Sequence, residues 1–264
     1  MAKIKLAARL IYLLLVVLHL WTPWALAQSK EVLVADVTGP VTPVMHSFIE
    51  RAIEEADLRN AEALIIRLDT PGGSVDITRQ IIRTMFAADV PVVVYVWPPG
   101  GFAASAGTFM TLAGHAAAMA PNTSIGAASP IDAGGQEIDE TLQAKIENIL
   151  VAEIKSLADR RGDQALEWAQ QAITEAKAAN ANEALELGVI DFVAKDLDVL
   201  LAQLDGFTVE VRGVERTLAT AGADIDFIRT TALEDLLSVI ASPTIALLLI
   251  SIGGLAIVYE IINP

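Results

Sequence analysis

The stretch that decides the fold reads Val90-Pro91-Val92-Val93-Val94-Tyr95-Val96-Trp97-Pro98-Pro99-Gly100-Gly101-Phe102-Ala103-Ala104-Ser105-Ala106-Gly107-Thr108-Phe109-Met110. Its β-branched apolar run, Val90 to Val96, has the make-up of a buried strand, and Pro98-Pro99 stops it. From Ala103 onward nearly every side chain is small, and a single serine hydroxyl, Ser105, stands among them. Small side chains let backbone approach backbone or substrate closely, so the segment reads as a strand-to-helix turn that presents Ser105 at a helix N-terminus. A nucleophile placed there has the helix's free N–H groups and the positive end of its dipole nearby. The plainer alternative is that Ser105 is an ordinary N-cap.

The flanking sequence repeats the strand-then-helix pattern. Glu31 to Val37 reads as a strand closed by Gly39-Pro40, and Val44, Phe48, Ile49, Ala52 and Ile53 recur at helical spacing between Val41 and Leu58. His46 falls on this helix as a surface or boundary residue. Ala63 to Leu68 is a second strand. It runs into Asp69-Thr70-Pro71-Gly72-Gly73, and a helix follows from Ser74, a candidate N-cap, to Ala87. Three such alternations predict an α/β fold with a parallel sheet and right-handed crossovers. Loops that carry function gather at the carboxyl ends of such strands, and both glycine-rich loops, 69–73 and 98–104, leave from that edge.

Further along, Ala116–Ala120 is a short strand, 121–126 a turn and 127–135 an irregular loop. A long helix is expected over Ile138–Arg161, with an apolar stripe of Ile138, Leu142, Ile146, Ile149 and Ala152 that Lys145 borders. Short helices over 163–172 and 182–187, a last core strand over 188–193, a helix over 197–204 and short β segments between Phe207 and Ile228 complete the body. The polar, glycine-rich loop 127–136 is expected to be mobile and to gate the site.

The two ends differ from the body. Lys3, Lys5 and Arg9 precede an apolar run from Leu10 to Leu20 and an Ala25-Leu26-Ala27 cleavage pattern, the layout of a secretory signal peptide over residues 1–27. An uncleaved anchor is the alternative, disfavoured by the shortness of the run. From Thr244 to Tyr259 the chain is charge-free and apolar, which reads as a transmembrane helix within 241–264 and leaves a body of 28–240 outside the cytoplasm. The chain carries 18 basic and 33 acidic residues, a formal net charge of −15. Three of the basic residues and none of the acidic ones lie in 1–27, so the rest is more acidic still. Such acidity argues against nucleic acid or an anionic membrane surface as the main partner. No cysteine is present, which excludes disulfides, zinc–thiolate sites and cysteine catalysis. No metal-ligand spacing occurs, and no metal or cofactor is expected.

Ser105 beside the Gly72-Gly73 turn suggests acyl transfer, because paired N–H donors around a developing oxyanion stabilise a tetrahedral intermediate. A serine nucleophile needs a base. His115 is only ten residues on, past the end of the serine's own helix, and reads as a turn or surface histidine. Lys145 is the other candidate: a lysine serves when burial keeps it neutral, and Ser–Lys pairs are a variant of the triad arrangement. From spacing alone Lys145 reads as a snorkelling surface lysine rather than a base.

Taken together, Asp69-Thr70-Pro71-Gly72-Gly73, Ala103-Ala104-Ser105-Ala106-Gly107-Thr108 and Met119-Ala120-Pro121-Asn122-Thr123-Ser124-Ile125-Gly126-Ala127-Ala128 resemble the Clp-type serine proteases, and more closely the membrane-bound NfeD-type serine proteases. The likeness covers about residues 30–264. It implies a Clp/crotonase-like spiral of β-β-α units and a Ser–Lys dyad, with Ser105 matching the nucleophile and Lys145, in Ala144-Lys145-Ile146-Glu147-Asn148, matching the base. It further implies oxyanion N–H groups from Gly73 and Ala106, and a substrate-binding rim that includes Gly72, Gly101 and Phe102. The implied substrate or partner is a stomatin-like membrane protein cleaved in an apolar segment, and the implied assembly is a homodimer or larger homo-oligomer. Two departures stand out. The region about 25 residues after Ser105 reads Ser129-Pro130-Ile131, with no counterpart of the Clp histidine. Long NfeD-type chains continue through several more membrane helices, whereas this sequence stops in the first, as a fragment or a shortened protein would. A crotonase-like acyl-CoA enzyme and a non-catalytic scaffold for stomatin-like partners are the rival readings. The first is disfavoured by the signal peptide and by the lack of a basic phosphate-binding cluster.

Overall fold

The computed structural model describes residues 30–130 and 139–263. The signal-peptide reading, the centre of the expected gating loop and the expected start of the long helix lie outside those residues.

Alternation in the sequence becomes a six-stranded, wholly parallel sheet. Its strands are β1 (Glu31–Thr38), β2 (Ala63–Asp69), β3 (Val92–Val96), β5 (Ala116–Met119), β8 (Phe192–Val193) and β11 (Asp224–Ile228), in the order β11-β1-β2-β3-β5-β8. Registers such as Val34↔Ile65 and Ile65↔Val93 run level across the centre. Side chains alternate between faces, so these strands divide their apolar residues between two cores. Leu33, Ala35, Leu64, Ile66, Val92 and Val94 pack under helices α1 (Pro43–Leu58), α2 (Val75–Ala87), α3 (Ala106–Ala113), α4 (Glu140–Ala158) and α5 (Asp163–Thr174). A short helix, α6 (Ala181–Glu186), precedes β8, and Val32, Val34, Ile65, Val93 and Tyr95 pack on the other side of the sheet, against α7 (Leu197–Leu204) and the hairpin β9–β10 (Thr208–Val211, Val214–Thr217). Covering both faces is why the strands read as near-continuous apolar runs. The expected N-cap at Ser74 is present, with its hydroxyl accepting from the Ile77 N–H at 3.4 Å.

Several expectations are corrected. Residues 124–126 are not only a turn: they form strand β6, which pairs parallel with β4 (Phe102–Ala104) and antiparallel with β7 (Ala178–Asn180) in a separate small sheet. The last β segment does not stay with its hairpin but crosses back as β11 to pair with β1 at the sheet edge. Residues Ala232–Ala241 form an unforeseen helix, α8. On α4 the inward row is Ile146, Leu150, Ile154 and Ala158, whereas Leu142 and Ile149 are 51% and 53% exposed. The helix carries two apolar rows, and packing against α3 and α5 selects the second one. After α8 comes α9 (Pro243–Ile262), one helix long and apolar enough to cross a membrane, with Ile245–Ile262 unburied.

Arg160 closes the far end of α3. Its guanidinium donates to the carbonyls of Leu112, Gly114 and His115, orphan acceptors that the helix end leaves behind. Arg160→Met is therefore expected to lower unfolding stability by about 1–3 kcal/mol, the cost of leaving buried acceptors without donors. Urea unfolding of the two proteins measures it.

Candidate active site

The site is built where β2 and β3 end. Thr70, fully buried, donates its N–H to Phe102 O at 2.8 Å and accepts from Ala104 N–H at 3.0 Å, which ties the loop after β2 to β4. Its hydroxyl accepts from Gly72 N–H at 3.1 Å. The two glycine-rich loops thereby lie side by side, as their common sheet edge predicts.

Ser105 follows β4 directly and holds φ 51°, ψ −113°, a left-handed backbone that costs a non-glycine residue strain of about 1–3 kcal/mol. Its own N–H donates to Gly126 O at 3.0 Å, and its carbonyl receives Thr108 N–H at 2.9 Å. The Thr108 hydroxyl lies 3.0 Å from Ala103 O and 3.1 Å from Gly126 O, and it accepts Gly126 N–H at 3.1 Å. The turn is thus held from β4, β6 and α3 together. Ser105 occupies the N-cap position of α3, yet its side chain makes no capping hydrogen bond. Capping does not explain the hydroxyl.

Gly72 has to be glycine. At φ +102° any side chain is strained, and an added Cβ would sit 2.6 Å from Ser105 Cβ and 3.0 Å from its Oγ. Gly73 is pressed as closely onto Val41, whose carbonyl oxygen an added Cβ would approach to 2.5 Å. Val41 N–H donates to Gly72 O and Ser74 N–H to Val41 O, which leaves Gly73 N–H without an acceptor among the described residues. Ala106 N–H, the first of α3, likewise has none among them. Gly73, Ser105 and Ala106 line one cleft of about 480 Å³. Its walls are apolar side chains from α2 (Val75, Ile82, Phe86), α3 (Phe109) and α4 (Ile146, Leu150), with the Arg79–Glu153 pair, 2.9 Å, bridging α2 and α4.

Other expected site residues lie apart from the cleft. Gly101 is buried in the turn after β3, where an added Cβ would meet Pro98 O at 2.9 Å, and Phe102 is 38% exposed on β4. Lys145 is exposed on α4, one position before the cleft-lining Ile146, and no hydrogen bond links it to Ser105 among the described residues. His115 is not the turn or surface residue expected. It is 8% exposed beyond the C-terminus of α3, and its Nδ1 accepts Val92 N–H at 2.9 Å. Burial, with Arg160 nearby, pushes its pKa down to about 4. It is a structural histidine, remote from Ser105. The sequence reading passed over Thr70 and Thr108, whose neighbours in the chain carry no signal that their hydroxyls are engaged.

The sequence profile of the family described as NfeD1b, N-terminal domain, matches residues 31–213. The chain belongs to that family. Among relatives of this NfeD1b-type chain, the membrane-bound protease PH1510 of Pyrococcus horikoshii is 36% identical over 260 residues, which is 97% of this chain and 58% of the relative. The membrane protein NfeD1b of Bacillus subtilis is 26% identical over 252 residues, 91% of this chain and 53% of the relative. The chain therefore spans somewhat over half the length of both. A solved structure of the 1510-N membrane-bound stomatin-specific protease, a lysine-to-alanine variant in complex with a substrate peptide, superposes with TM-score 0.75 at 37% identity over 81% of this chain and 98% of the other. A serine-to-alanine variant of that protease superposes with TM-score 0.72 at 37% identity, covering 77% of this chain and 99% of the other. ClpP1 of Listeria monocytogenes, 17% identical with TM-score 0.50 over 62% of this chain and 91% of its own, shares the fold. The NfeD1b-type chain thus has the Clp-like fold that the motifs implied.

Two outcomes test this geometry. Thr108→Val keeps the shape but removes the buried hydroxyl that ties Ala103 and Gly126 to α3, so it is expected to lower stability by about 0.5–1.5 kcal/mol in urea unfolding. His115 binds its proton more weakly folded than unfolded, where its pKa is about 6.5. Its contribution to stability is therefore complete above pH 6.5 and disappears as pH falls toward about 4, a loss of about 3 kcal/mol. Comparing unfolding at pH 7 and pH 5 shows this decline, and His115→Gln flattens it.

Proposed function

We propose that this chain is a serine endopeptidase held at the membrane by α9, with its body on the extracytoplasmic side and an apolar segment of a stomatin-like membrane protein as substrate. The observation that carries the reading is the pairing of a strained, uncapped Ser105 with two N–H groups, from Gly73 and Ala106, that lack acceptors among the described residues and open onto the same apolar cleft. Strain held at one serine by three surrounding elements is what a positioned nucleophile requires. The apolar walls suit an apolar peptide.

In the mechanism, Ser105 Oγ attacks the scissile carbonyl carbon while Lys145 Nζ takes the hydroxyl proton. The oxyanion receives the Gly73 and Ala106 N–H groups. The intermediate collapses as the lysine returns its proton to the departing amine, and water then hydrolyses the acyl-serine by the same route in reverse. Support for the lysine comes from its place beside Ile146 on the helix that walls the cleft. It also comes from the relative whose serine and lysine were separately replaced, at nearly the separation that divides Ser105 from Lys145. The peptide backbone would lie along Gly72, beside Ser105, and on toward the exposed Phe102, with Gly101 buried in the turn behind that rim.

Ser105→Ala and Lys145→Ala are each expected to lower cleavage of an apolar peptide by roughly 10³-fold or more. The exposed Lys145 is expected to change unfolding stability by less than about 0.5 kcal/mol when replaced. Chromatographic detection of cleavage products, with circular dichroism of both variants, checks this. Turnover unchanged in folded Lys145→Ala removes the lysine from the mechanism.

A further inference from the structure

Helix α8 is oriented the wrong way round for a soluble body. At 100° per residue, Leu233, Leu236, Leu237 and Ile240 fall on one arc with Val239 at its margin, and Glu234, Asp235 and Ser238 fall opposite. An amphipathic helix ordinarily turns such an arc toward the core. Here the arc is exposed, from 42% at Leu237 to 64% at Leu233, and α8 contributes no buried residue. The polar side makes the attachment instead. Glu234 accepts from Arg51 Nη2 at 2.7 Å and from Arg51 Nε at 3.1 Å, and Arg51 Nη2 also donates to Arg229 O at 2.9 Å. Thr231 and Glu234 close a capping box at the same end. So α8 is fastened to α1 by its charged face and offers its apolar face outward.

What covers that face follows from the next element. Only Ser242 separates α8 from α9. A ten-residue helix is about 15 Å long, so no part of α8 lies farther than that from the start of the apolar span. The chain enters α8 from β11, whose carboxyl end shares the sheet edge of the two glycine-rich loops.

We propose that α8 lies in the surface of the bilayer, its leucine arc among the headgroups and upper acyl chains, and that the Arg51–Glu234 pair fixes the body onto it. This rests on the reading of α9 as a membrane span. Because α8 carries no lysine or arginine, the attachment is apolar and independent of anionic lipid. The arrangement sets the edge that carries Ser105 beside the membrane at a fixed orientation.

The chain contains no cysteine, so single labels can be placed at will. The full chain, one protomer per phosphatidylcholine nanodisc, is labelled with an environment-sensitive fluorophore at Leu236→Cys, Ser238→Cys or Leu249→Cys. Nitroxide lipids quench at headgroup or mid-chain depth. The proposal expects blue-shifted emission and preferential headgroup-depth quenching at 236, water-like emission at 238 and mid-chain quenching at 249, all unchanged by adding phosphatidylglycerol. Water-like emission at 236 with 249 quenched overturns the α8 proposal and leaves the span intact; water-like emission at both overturns the span reading as well. Shielding at 236 only when two protomers share a disc identifies a second copy as the occupant and likewise overturns it. Energy transfer from a donor at Glu167→Cys to headgroup acceptors is expected to broaden in Arg51→Gln; an unchanged distribution removes the ion pair from the proposal.

Discussion

Thr70 makes the connection on which the site depends. Its backbone bonds on one side to Phe102 and on the other to Ala104, its hydroxyl orients Gly72, and its Cγ2 lies where an added Cβ on Gly107 would come within 2.7 Å. One residue at the end of one strand thereby sets the separation between the glycine turn and the serine turn. The strain at Ser105 can persist only because this bridge, the Gly126 carbonyl and the Thr108 hydroxyl converge on it. Freed of them, the backbone would relax toward an ordinary cap geometry, and the hydroxyl would turn to the helix instead of the cleft.

That division of labour separates what holds the fold from what performs chemistry. Two apolar cores, one on each face of a parallel sheet, supply the bulk of the stability, and the site touches only one of them, through Ala106, Phe109, Ile146 and Leu150. Charged pairs such as Arg79–Glu153 sit a third exposed at the cleft, where such pairs contribute little to stability. The buried His115 and the guanidinium of Arg160, at the other end of α3, anchor the helix whose first turn faces the cleft. The site is thus held from behind by polar contacts and from below by packing.

The centre of the large sheet was legible in the sequence because β1, β2, β3 and β5 carry near-continuous apolar runs and the helices between them carry clear periodicity. The small sheet was not. Phe102–Ala104, Ser124–Gly126 and Ala178–Asn180 are three residues each and are made largely of glycine, alanine and serine, so they have no pattern to read. Nor does any local feature of Asp224–Ile228 say that it pairs with a strand almost the whole body away. The face of α4 was misread because its sequence offers two apolar rows, and only neighbours choose between them. At the site, Ser105 and the paired glycines announced themselves through small residues around one hydroxyl. Thr70 and Thr108 did not, since a threonine looks the same in the sequence whether or not its hydroxyl is engaged. Lys145 showed the opposite failing: a position on a helix fixes which side chain is near the cleft but not where its amine rests.

The pairing of β1 with β11 has a consequence for how the chain is made. β1 is among the first elements to emerge in synthesis, yet its outer edge is satisfied by residues 224–228, among the last of the body. Contacts so distant in sequence form late, because closing the intervening loop costs entropy before anything is gained. Until then β1 presents a row of unpaired N–H and C=O groups flanked by Val32, Leu33 and Val34, an edge that invites a neighbour's strand. Nascent chains cut short before residue 224 would therefore carry an adhesive edge that the full body hides, and the final strand acts as the seam that makes the molecule safe to release.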